Sequence, residues 1–457
     1  MRTILAAFLV VAALAEPARA ADPTIAFEKY QLGNGLTVIL SEDHRLPQVA
    51  IDIWYHVGAA NQEPGRSGFA HLFEHVGFSG SRHVQPSSWK IFEDVGSKAG
   101  ALVNGTTNFD RTNFFEVLPS SELPTALWVE ADRMGYLLDT LDEQKIKVQR
   151  DVVSNEKRQT TENVPYGLAE VRICDILFPK PHPYYECVIG DIADIQAASP
   201  ADVKGYFKKY YGPNNATLSI VGDFDRGDAK ALVQKYFADI PRGPDVKVPD
   251  VPMPLLTSVV KERFEDKLAE LPRLTLVWNG VRIYSEDEAA GDVLSRILGD
   301  GKTSRLYRSL VVDKKVASAV AASDQTAGLG GWFQIDATAA HGHTVAELQP
   351  LVQQIVDDVR KAGVTDEEVA RAKTNLVANV LRNSERIGGF GGKADLLAAY
   401  QTYLGDPGWL PKDLARYRAV TAEQVKAFAN KYLVDDRRIE LDIEPAAKAA
   451  AKAGGAR

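Results

Sequence analysis

Residues 241–254 divide the chain into two parts of about 200 residues each. The segment reads PRGPDVKVPDVPMP and holds five prolines in fourteen residues. Because proline fixes φ and removes a backbone donor, neither a helix nor a central strand can run through this segment, and its composition is typical of a linker. We therefore predict an N-terminal domain over 21–240, a linker over 241–256, a homologous C-terminal domain over 257–445 and a flexible tail over 446–457.

The two parts share a pattern of elements. Aligning Gln196–Tyr210 with Arg418–Tyr432, an offset of 222 residues, gives five identities in fifteen positions. Ser199 and Thr421 take the same place in this alignment, and both residue types cap helix N-termini. The sequence GNG at 33–35, between two apolar runs, predicts a hairpin. We therefore predict an α+β fold of two homologous domains, each a largely antiparallel sheet packed with helices.

Charge and hydropathy narrow the possible partners. The net charge is −8 and the pI is about 5.6, whereas a nucleic-acid binder needs a basic face to displace counterions from phosphates. After the N-terminus no stretch approaches the ~20 apolar residues that a membrane-spanning helix requires. We predict neither a nucleic-acid partner nor a membrane span.

The first twenty residues have the three parts of a secretory signal. Arg2 supplies a positive charge, residues 4–14 are apolar, and residues 18–20 read Ala-Arg-Ala, a pattern typical of a cleavage site. A buried N-terminal helix is the alternative. We predict a signal peptide over 1–20 that is cleaved near Ala20, and a mature protein that is exported to the periplasm or secreted.

Export gives the two cysteines a possible structural role, because disulfides persist in oxidising compartments. Cys174 and Cys187 lie 13 residues apart in the sequence. A bridge between them could contribute about 3 kcal/mol by the chain-entropy estimate. Two separate thiols fit the sequence equally well, since it does not show whether the Cα atoms approach each other.

The motif with the clearest chemistry is HLFEH at 71–75, within a segment of helical periodicity. Positions i and i+4 lie on one face of a helix, so His71 and His75 can present two imidazoles to one cation, with Glu74 beside them. Two neutral imidazoles suit Zn²⁺, which in catalytic sites takes a third protein ligand and leaves one position open. A solvated helix face that carries two histidines by chance is the alternative.

Four segments in one order carry a family resemblance: HLFEHVGFSG at 71–80, NGTTNFDRT at 104–112, VVSNEKRQ at 152–159 and LGDGKTSRLYRSL at 298–310. They resemble the signature segments of the pitrilysin/insulinase family of zinc metallopeptidases, the inverzincins with the HxxEH motif. The resemblance covers about residues 28–445. The length is similar to that of the short two-domain members, such as the catalytic subunit of mitochondrial processing peptidase and its bacterial relatives. The resemblance implies that the two domains form half of a clam-like chamber.

The resemblance also implies the roles of four residues. One zinc ion per chain would be held by His71, His75 and Glu156, and Glu74 would be the general base that acts on a water held by the zinc. The implied activity is that of an endopeptidase that cleaves peptides or short unfolded segments inside a closed chamber. An ordinary surface glutamate is the alternative for Glu156. At position 149, where the family tends to carry a second glutamate, this chain has Gln149, so a neutral amide replaces the carboxylate.

Asn104 and Gly105 correspond to an Asn-Ala pair on the family's substrate-binding edge strand. A free strand edge can recruit an extended peptide by hydrogen bonds between main chains. This implies that Asn104 and Gly105 bind substrate. A plain turn is the alternative, since Asn-Gly favours turns.

The second half lacks the residues of the HLFEH motif. At the offset of 222, residues 71, 74 and 75 fall on Val293, Arg296 and Ile297. The family's substrate-binding Arg and Tyr, which follow LYRSL, are replaced by Val311 and Ser318. The resemblance therefore implies a heterodimer with a zinc-less paralogue that supplies this Arg/Tyr pair, and a homodimer is the alternative. Two other readings of the function are a non-catalytic scaffold or core-type subunit and a protein whose zinc is purely structural.

Overall fold

The computed structural model describes residues 22–446, so the predicted signal peptide and the tail beyond residue 446 lie outside the described residues. Eleven strands are present in this part of the chain: Glu28–Gln31 (β1), Thr37–Glu42 (β2), Gln48–Tyr55 (β3), Val103–Thr107 (β4), Thr112–Pro119 (β5), Ala216–Gly222 (β6), Val260–Asp266 (β7), Arg273–Asn279 (β8), Ala317–Ala327 (β9), Gly330–Ala339 (β10) and Ile439–Pro445 (β11).

Fourteen α-helices accompany these strands within residues 22–446: Phe69–Gly77 (α1), Ser88–Asp94 (α2), Leu123–Thr140 (α3), Glu143–Lys157 (α4), Leu168–Leu177 (α5), Ile192–Ala197 (α6), Pro200–Tyr210 (α7), Arg226–Phe237 (α8), Glu288–Gly299 (α9), Val345–Ala362 (α10), Asp366–Glu385 (α11), Lys393–Leu404 (α12), Leu410–Ala419 (α13) and Ala422–Tyr432 (α14). None of them is both long enough and apolar enough to cross a membrane.

The first half is built on a six-stranded sheet with the order β1-β2-β6-β3-β5-β4. β1 and β2 form the hairpin predicted at 33–35, with Tyr30 opposite Val38. β2 and β6 are parallel, and the other neighbouring strands are antiparallel. β4 lies at the edge and pairs only with β5. One hydrophobic core lies between this sheet and the helices α1, α3, α7 and α8.

The second half repeats this arrangement. Its sheet has the order β7-β11-β8-β10-β9, which matches β2-β6-β3-β5-β4 strand for strand. The corresponding pair β7 and β11 is again parallel, and the remaining pairs are antiparallel. The predicted helix caps are also present, since the Ser199 and Thr421 side chains accept backbone hydrogen bonds at the starts of α7 and α14. The predicted α+β class with two largely antiparallel sheets is confirmed.

Each half places one helix on the sheet of the other half. α12, from the second half, covers the face of the first sheet that lies opposite the main core. There Ala394 and Leu397 pack against Ala50, Val117 and Val221. Burying these apolar side chains joins the two halves through a second, smaller core.

α5, from the first half, makes the reciprocal contact with the second sheet. Ile173 and Leu177 pack there in one cluster with Trp332, Ile439 and Leu441. α5 and α12 are each the third helix after the corresponding strand, β5 or β10. The two halves are thus joined by an approximately symmetric exchange of helices.

The proline-rich segment between α8 and β7 contains no helix or strand. Two asparagines hold its backbone, one from each half. Asn214 Nδ2 donates to Pro244 O at 3.0 Å, and Asn279 Nδ2 donates to Pro254 O at 2.9 Å. The segment therefore follows a defined path along both halves. The domain boundaries at 240 and 257 stay a prediction.

Candidate metal centre

The HLFEH motif lies on α1, which begins directly after Gly68. This glycine has φ of 78°, a left-handed conformation that glycine adopts without steric cost. A Cβ atom at Gly68 would also come within 2.8 Å of Ile189 O. The close approach fixes the start of α1 against the loop that follows α5.

The helix brings two imidazoles to one side, as the i, i+4 spacing predicts. His71 Nε2 and His75 Nε2 are 3.3 Å apart. α4 packs against α1 and contributes Glu156, whose carboxylate oxygens lie 3.6 Å from His71 Nε2 and 3.0 Å from His75 Nε2. One ligand atom from each of the three residues lies within 4.8 Å of the other two. Among the described residues, no other group of three His, Cys, Asp or Glu side chains converges in this way.

This donor set fits zinc. Two nitrogens at about 2.05 Å from a tetrahedral zinc are about 3.3 Å apart, which is the separation of the two Nε2 atoms. Burial lowers the pKa of His71 to about 4, so its imidazole is neutral at pH 7, the form that binds metal. The hydrogen bond with His75 lowers the pKa of Glu156 and keeps that carboxyl ionised.

Glu74 points from α1 toward the edge strand. Its carboxylate accepts a hydrogen bond of 2.7 Å from Thr107 Oγ1, and the residue is only 8% exposed. Burial raises the pKa of Glu74 above its ordinary value, while the hydrogen bond from Thr107 acts in the opposite direction. A carboxylate with a raised pKa can exchange protons nearer to neutral pH.

Gly105 lets the edge strand approach Glu74 closely. A Cβ atom at this position would lie 2.9 Å from Glu74 Cγ and 3.0 Å from Phe78 Cε2. Alternate residues of a strand face the same side, so Gly105 and Thr107 both face Glu74. Thr107 was not among the residues predicted from the sequence, although its spacing of two from Gly105 was a signal for it.

The candidate substrate-binding pair lies on β4, so the alternative of a plain turn is wrong. Asn104 and Gly105 are central in this strand and pair with Phe115 and Phe114 of β5. Asn104 Oδ1 accepts the backbone N–H of Gly105 at 2.9 Å. Because β4 is an edge strand, its other side pairs with no strand among the described residues, although Val103 at its start forms a single bridge with Ala99. The role of the pair in binding substrate stays a prediction.

Two cavities meet at Glu74. One, of about 500 Å³, is also lined by His75 and Asn104 and has a largely apolar wall. That wall comes from four residues that were not predicted as site residues, of which the second and third also lie outside the four motif segments: Phe78, Trp89, Val148 and Val152. The other cavity, of about 390 Å³, is lined by polar groups that include Glu156, Thr107 and Glu170. Gln149 lies in the apolar cavity, so a neutral amide takes the place where the family tends to carry a carboxylate.

A disulfide stabilises one wall of the polar cavity. Cys174 and Cys187 are bonded, with their Cα atoms 5.5 Å apart, so of the two alternatives that the sequence left open the structure has the bridge. Cys187 and the next two residues line the polar cavity. The bridge thus ties this wall to α5.

The corresponding helix of the second half has apolar or basic side chains at the positions of the HLFEH motif residues 71, 74 and 75. In α9, Val293 and Ile297 are buried in the core, and Arg296 pairs with Asp300 at the helix end. Ser318 Oγ donates to Ala339 O within its own sheet at 3.1 Å. Val311 packs against the second core.

Two related sheets, joined to a His-His-Glu cluster beside a free strand edge, define a two-domain peptidase fold. Residues 37–172 match the model of the insulinase family (peptidase family M16), and residues 197–376 match the model of the peptidase M16 inactive domain. The chain belongs to this family, which confirms the resemblance found in the sequence. The name of the second model agrees with the absence of the ligand residues from α9.

Known proteases resemble the chain over most of its length. The zinc protease PqqE of Helicobacter pylori is 26% identical over 426 residues, which cover 92% of this chain and 93% of that protein. The mitochondrial-processing peptidase subunit beta of Saccharomyces cerevisiae is 22% identical over 369 residues, 77% of each chain. The crystal structure of a protease from Helicobacter pylori superposes with a TM-score of 0.85 at 26% identity, covering 93% of this chain and 100% of that chain. These likenesses support a protease.

Proposed function

We propose that this chain is a zinc-dependent endopeptidase that hydrolyses peptides or short unfolded segments in a closed chamber, with Glu74 as its general base. One observation carries the proposal. His71, His75 and Glu156 come from two helices and converge within 4.8 Å, with Glu74 between two cavities at the same point. A purely structural zinc site would have a closed ligand set and no adjoining cavities.

His71, His75 and Glu156 would hold the zinc ion. Bound zinc supplies a Lewis acid that makes water more acidic and polarises a carbonyl. Glu74 takes a proton from the attacking water and returns it to the leaving amine. Thr107 orients the Glu74 carboxylate through the 2.7 Å hydrogen bond, so that the proton is exchanged at a fixed place.

The free edge of β4 would hold the substrate. An extended peptide that pairs with this edge sends alternate side chains to opposite faces. Asn104 and Gly105 of this strand lie next to Glu74 of α1, so the backbone of the bound peptide would pass the metal centre. Most backbone groups of a folded protein are already paired within its own structure, which is why the proposed substrate class is peptides and unfolded segments.

Hydrolysis of a fluorogenic peptide library by the zinc-loaded chain, assayed together with its candidate paralogue as well as alone, is the direct test. We expect activity that disappears with a chelator and returns with zinc. Glu74→Gln should bind zinc as the wild type does and lose activity by about 10²- to 10⁴-fold, the usual contribution of a general base. Arg296→Gln, at the corresponding position of α9, is the matched control and should stay active. If the chain binds zinc but no partner combination hydrolyses peptides, the scaffold or core-type subunit is favoured. If zinc removal unfolds the domain while Glu74→Gln stays fully active, a structural ion is favoured.

We also propose that the working enzyme is a heterodimer. This chain has Val311 and Ser318 where the family's Arg/Tyr substrate clamp is implied, and Val offers no side-chain hydrogen bond. A zinc-less paralogue would supply the clamp and the other half of the chamber. The isolated chain should be nearly inactive and gain activity with the paralogue, whereas full activity as a homodimer that gains nothing from a partner would rule the heterodimer out.

The segment 1–20 supports export, so we place the mature chain in the periplasm or outside the cell. N-terminal sequencing of the protein recovered from a periplasmic or culture fraction should start near residue 21. An intact N-terminus in the cytoplasmic fraction alone would contradict this placement.

A further inference from the structure

A buried group of charges lies beneath the C-terminal end of α1. Arg133 Nη1, on α3, donates to both carboxylate oxygens of Glu130 at 2.7 Å, and these side chains are only 4% and 0% exposed. Glu116, on β5, is buried beside them. Burial and the neighbouring Glu130 raise the pKa of Glu116, which favours its neutral form.

Arg133 connects this group to the helix that carries the histidines. Its Nε–H donates to Gly77 O at 3.0 Å, and Gly77 is the last residue of α1, two positions after His75. The guanidinium also lies over the rings of Phe114 and Phe78, at 4.0 and 5.2 Å from the centroids. Phe78 is part of the apolar cavity wall beside Glu74.

The second half builds the same helix contact without charges. At the offset of 222, every buried position of α10 corresponds to a buried position of α3, and Glu130 and Arg133 fall on Val352 and Ile355. In the sheets, the strand registers bring Glu116 onto Ala337. The contact between helix and sheet is therefore stable with apolar residues alone.

Replacing a buried ion pair by apolar residues is often neutral or even stabilising. Stability alone thus does not explain why the half with the histidines has charges where its duplicate has Val and Ile. The difference coincides with the metal cluster, and Arg133 is the member that contacts α1 directly. A guanidinium fixes a carbonyl with a directional hydrogen bond, which an aliphatic side chain does not provide.

We propose that Arg133 is a positioning residue for the metal centre: held by Glu130, it fixes the C-terminal end of α1 and the Phe78 wall, and so sets the directions of His75 and Glu74. The inference rests on the proposed function. Residues around a ligand set often change metal affinity by about 10- to 100-fold when they are altered.

The test replaces the group with its counterparts from the second half, in the triple variant Glu116→Ala, Glu130→Val, Arg133→Ile. We expect a folded chain whose metal-free melting temperature is unchanged or higher. Its zinc affinity, measured by chelator competition, should fall by about 10- to 100-fold. The visible spectrum of the Co²⁺-loaded protein should change, and kcat should fall more than KM rises.

Arg133→Lys, with Glu116 and Glu130 intact, is the second variant. It keeps the charge but loses the forked guanidinium, so it should fold and give a smaller change of the Co²⁺ spectrum in the same direction. Ile355→Val, at the matching position of α10, should leave zinc affinity and the spectrum unchanged.

The outcomes separate this inference from the proposed function. Suppose that the wild type binds zinc and cleaves peptides. If the triple variant then keeps the wild-type zinc affinity, Co²⁺ spectrum and kcat, Arg133 is only structural. Arg133→Lys decides the question in the same way if the triple variant does not fold. If the wild type itself binds no zinc, both proposals are wrong.

Discussion

The two halves of this protein share one strand topology but differ in the side chains at the position of the histidine cluster. Their sheets share the order of five strands and the position of one parallel pair. α1 carries His71 and His75, whereas α9 has Val293 and Ile297 in the corresponding places, packed in the core. The same framework therefore forms in the second half with apolar residues at the positions of the two histidines. The histidines are therefore a local addition to a fold that apolar packing already stabilises.

The exchanged helices differ as well. α12 reaches the first sheet with Asp395, whose carboxylate accepts from Trp54 Nε1 at 3.0 Å and interacts with Asp52 of β3. α5 meets the second sheet with an ion pair between Arg172 and Glu262 and is tied to its own half by the disulfide. One contact buries carboxyl groups and the other keeps its charges near solvent. Four experiments test these differences.

The ligand residues should show the largest effect. His71→Ala or Glu156→Ala removes one of the three proposed ligands, so zinc content should fall from about one per chain to background. Glu170→Gln is the control, because Glu170 lines the same cavity but is outside the cluster. Metal analysis after dialysis is the measurement. Unchanged zinc in either ligand variant would disprove the assignment.

The disulfide should contribute the next largest effect. Its cysteines are 13 residues apart, and a loop of this size corresponds to about 3 kcal/mol in the chain-entropy model. The double variant Cys174→Ala, Cys187→Ala should lower the free energy of unfolding in urea by about that amount. The reduced wild type serves as the control and should unfold at a similar urea concentration. Equal stability of the oxidised wild type and the variant would show that the bridge is dispensable.

The carboxyl pair between α12 and the first sheet should make stability depend on pH. Burial raises the pKa of Asp52 well above its usual range, with the neighbouring Asp395 acting in the same direction and Arg111 in the opposite one. Asp52 therefore holds its proton in the folded chain at a pH where the unfolded chain has lost it. The contribution of Asp52 to the free energy of unfolding is fully present at low pH and is lost as pH rises from about 4 through the raised pKa. The amount lost is about 1.4 kcal/mol for each pH unit between the folded and the unfolded pKa.

Asp52→Asn should therefore melt at a higher temperature than the wild type at pH 8 and lose part of this advantage at pH 4. Thermal melts across this range are the measurement. Asp151 is an exposed carboxylate on α4, and Asp151→Asn should keep the wild-type dependence of melting temperature on pH. Parallel profiles for Asp52→Asn and the wild type would contradict the expectation.

The ion pair of α5 should matter least. Arg172 Nη2 lies 2.6 Å from Glu262 Oε1, but the two side chains are 41% and 30% exposed. Pairs of this kind contribute about 0–1 kcal/mol because water and salt screen them. Arg172→Ala should change the free energy of unfolding by no more than that, with less effect in high salt. A loss above about 2 kcal/mol would mean that the pair, and not the apolar cluster, joins α5 to the second sheet.

Sequence alone determined the features that depend on near neighbours. The i, i+4 spacing places His71 and His75 on one helix face in any fold. Prolines in 241–254 prevent regular structure there, and the 222-residue repeat indicates two similar domains. Each of these depends on backbone geometry within a few residues or on internal similarity. The family resemblance added Glu156 and the role of Glu74.

Tertiary structure alone decided which distant groups meet. The order of the strands places Thr107 against Glu74 and gives Gly105 its close contact. The exchange of α5 and α12, the bond from Cys174 to its partner and the contact of Arg133 with α1 depend on how helices cross the sheets. Local periodicity does not encode such contacts, because residues far apart in sequence meet only after strand order and crossover paths are fixed.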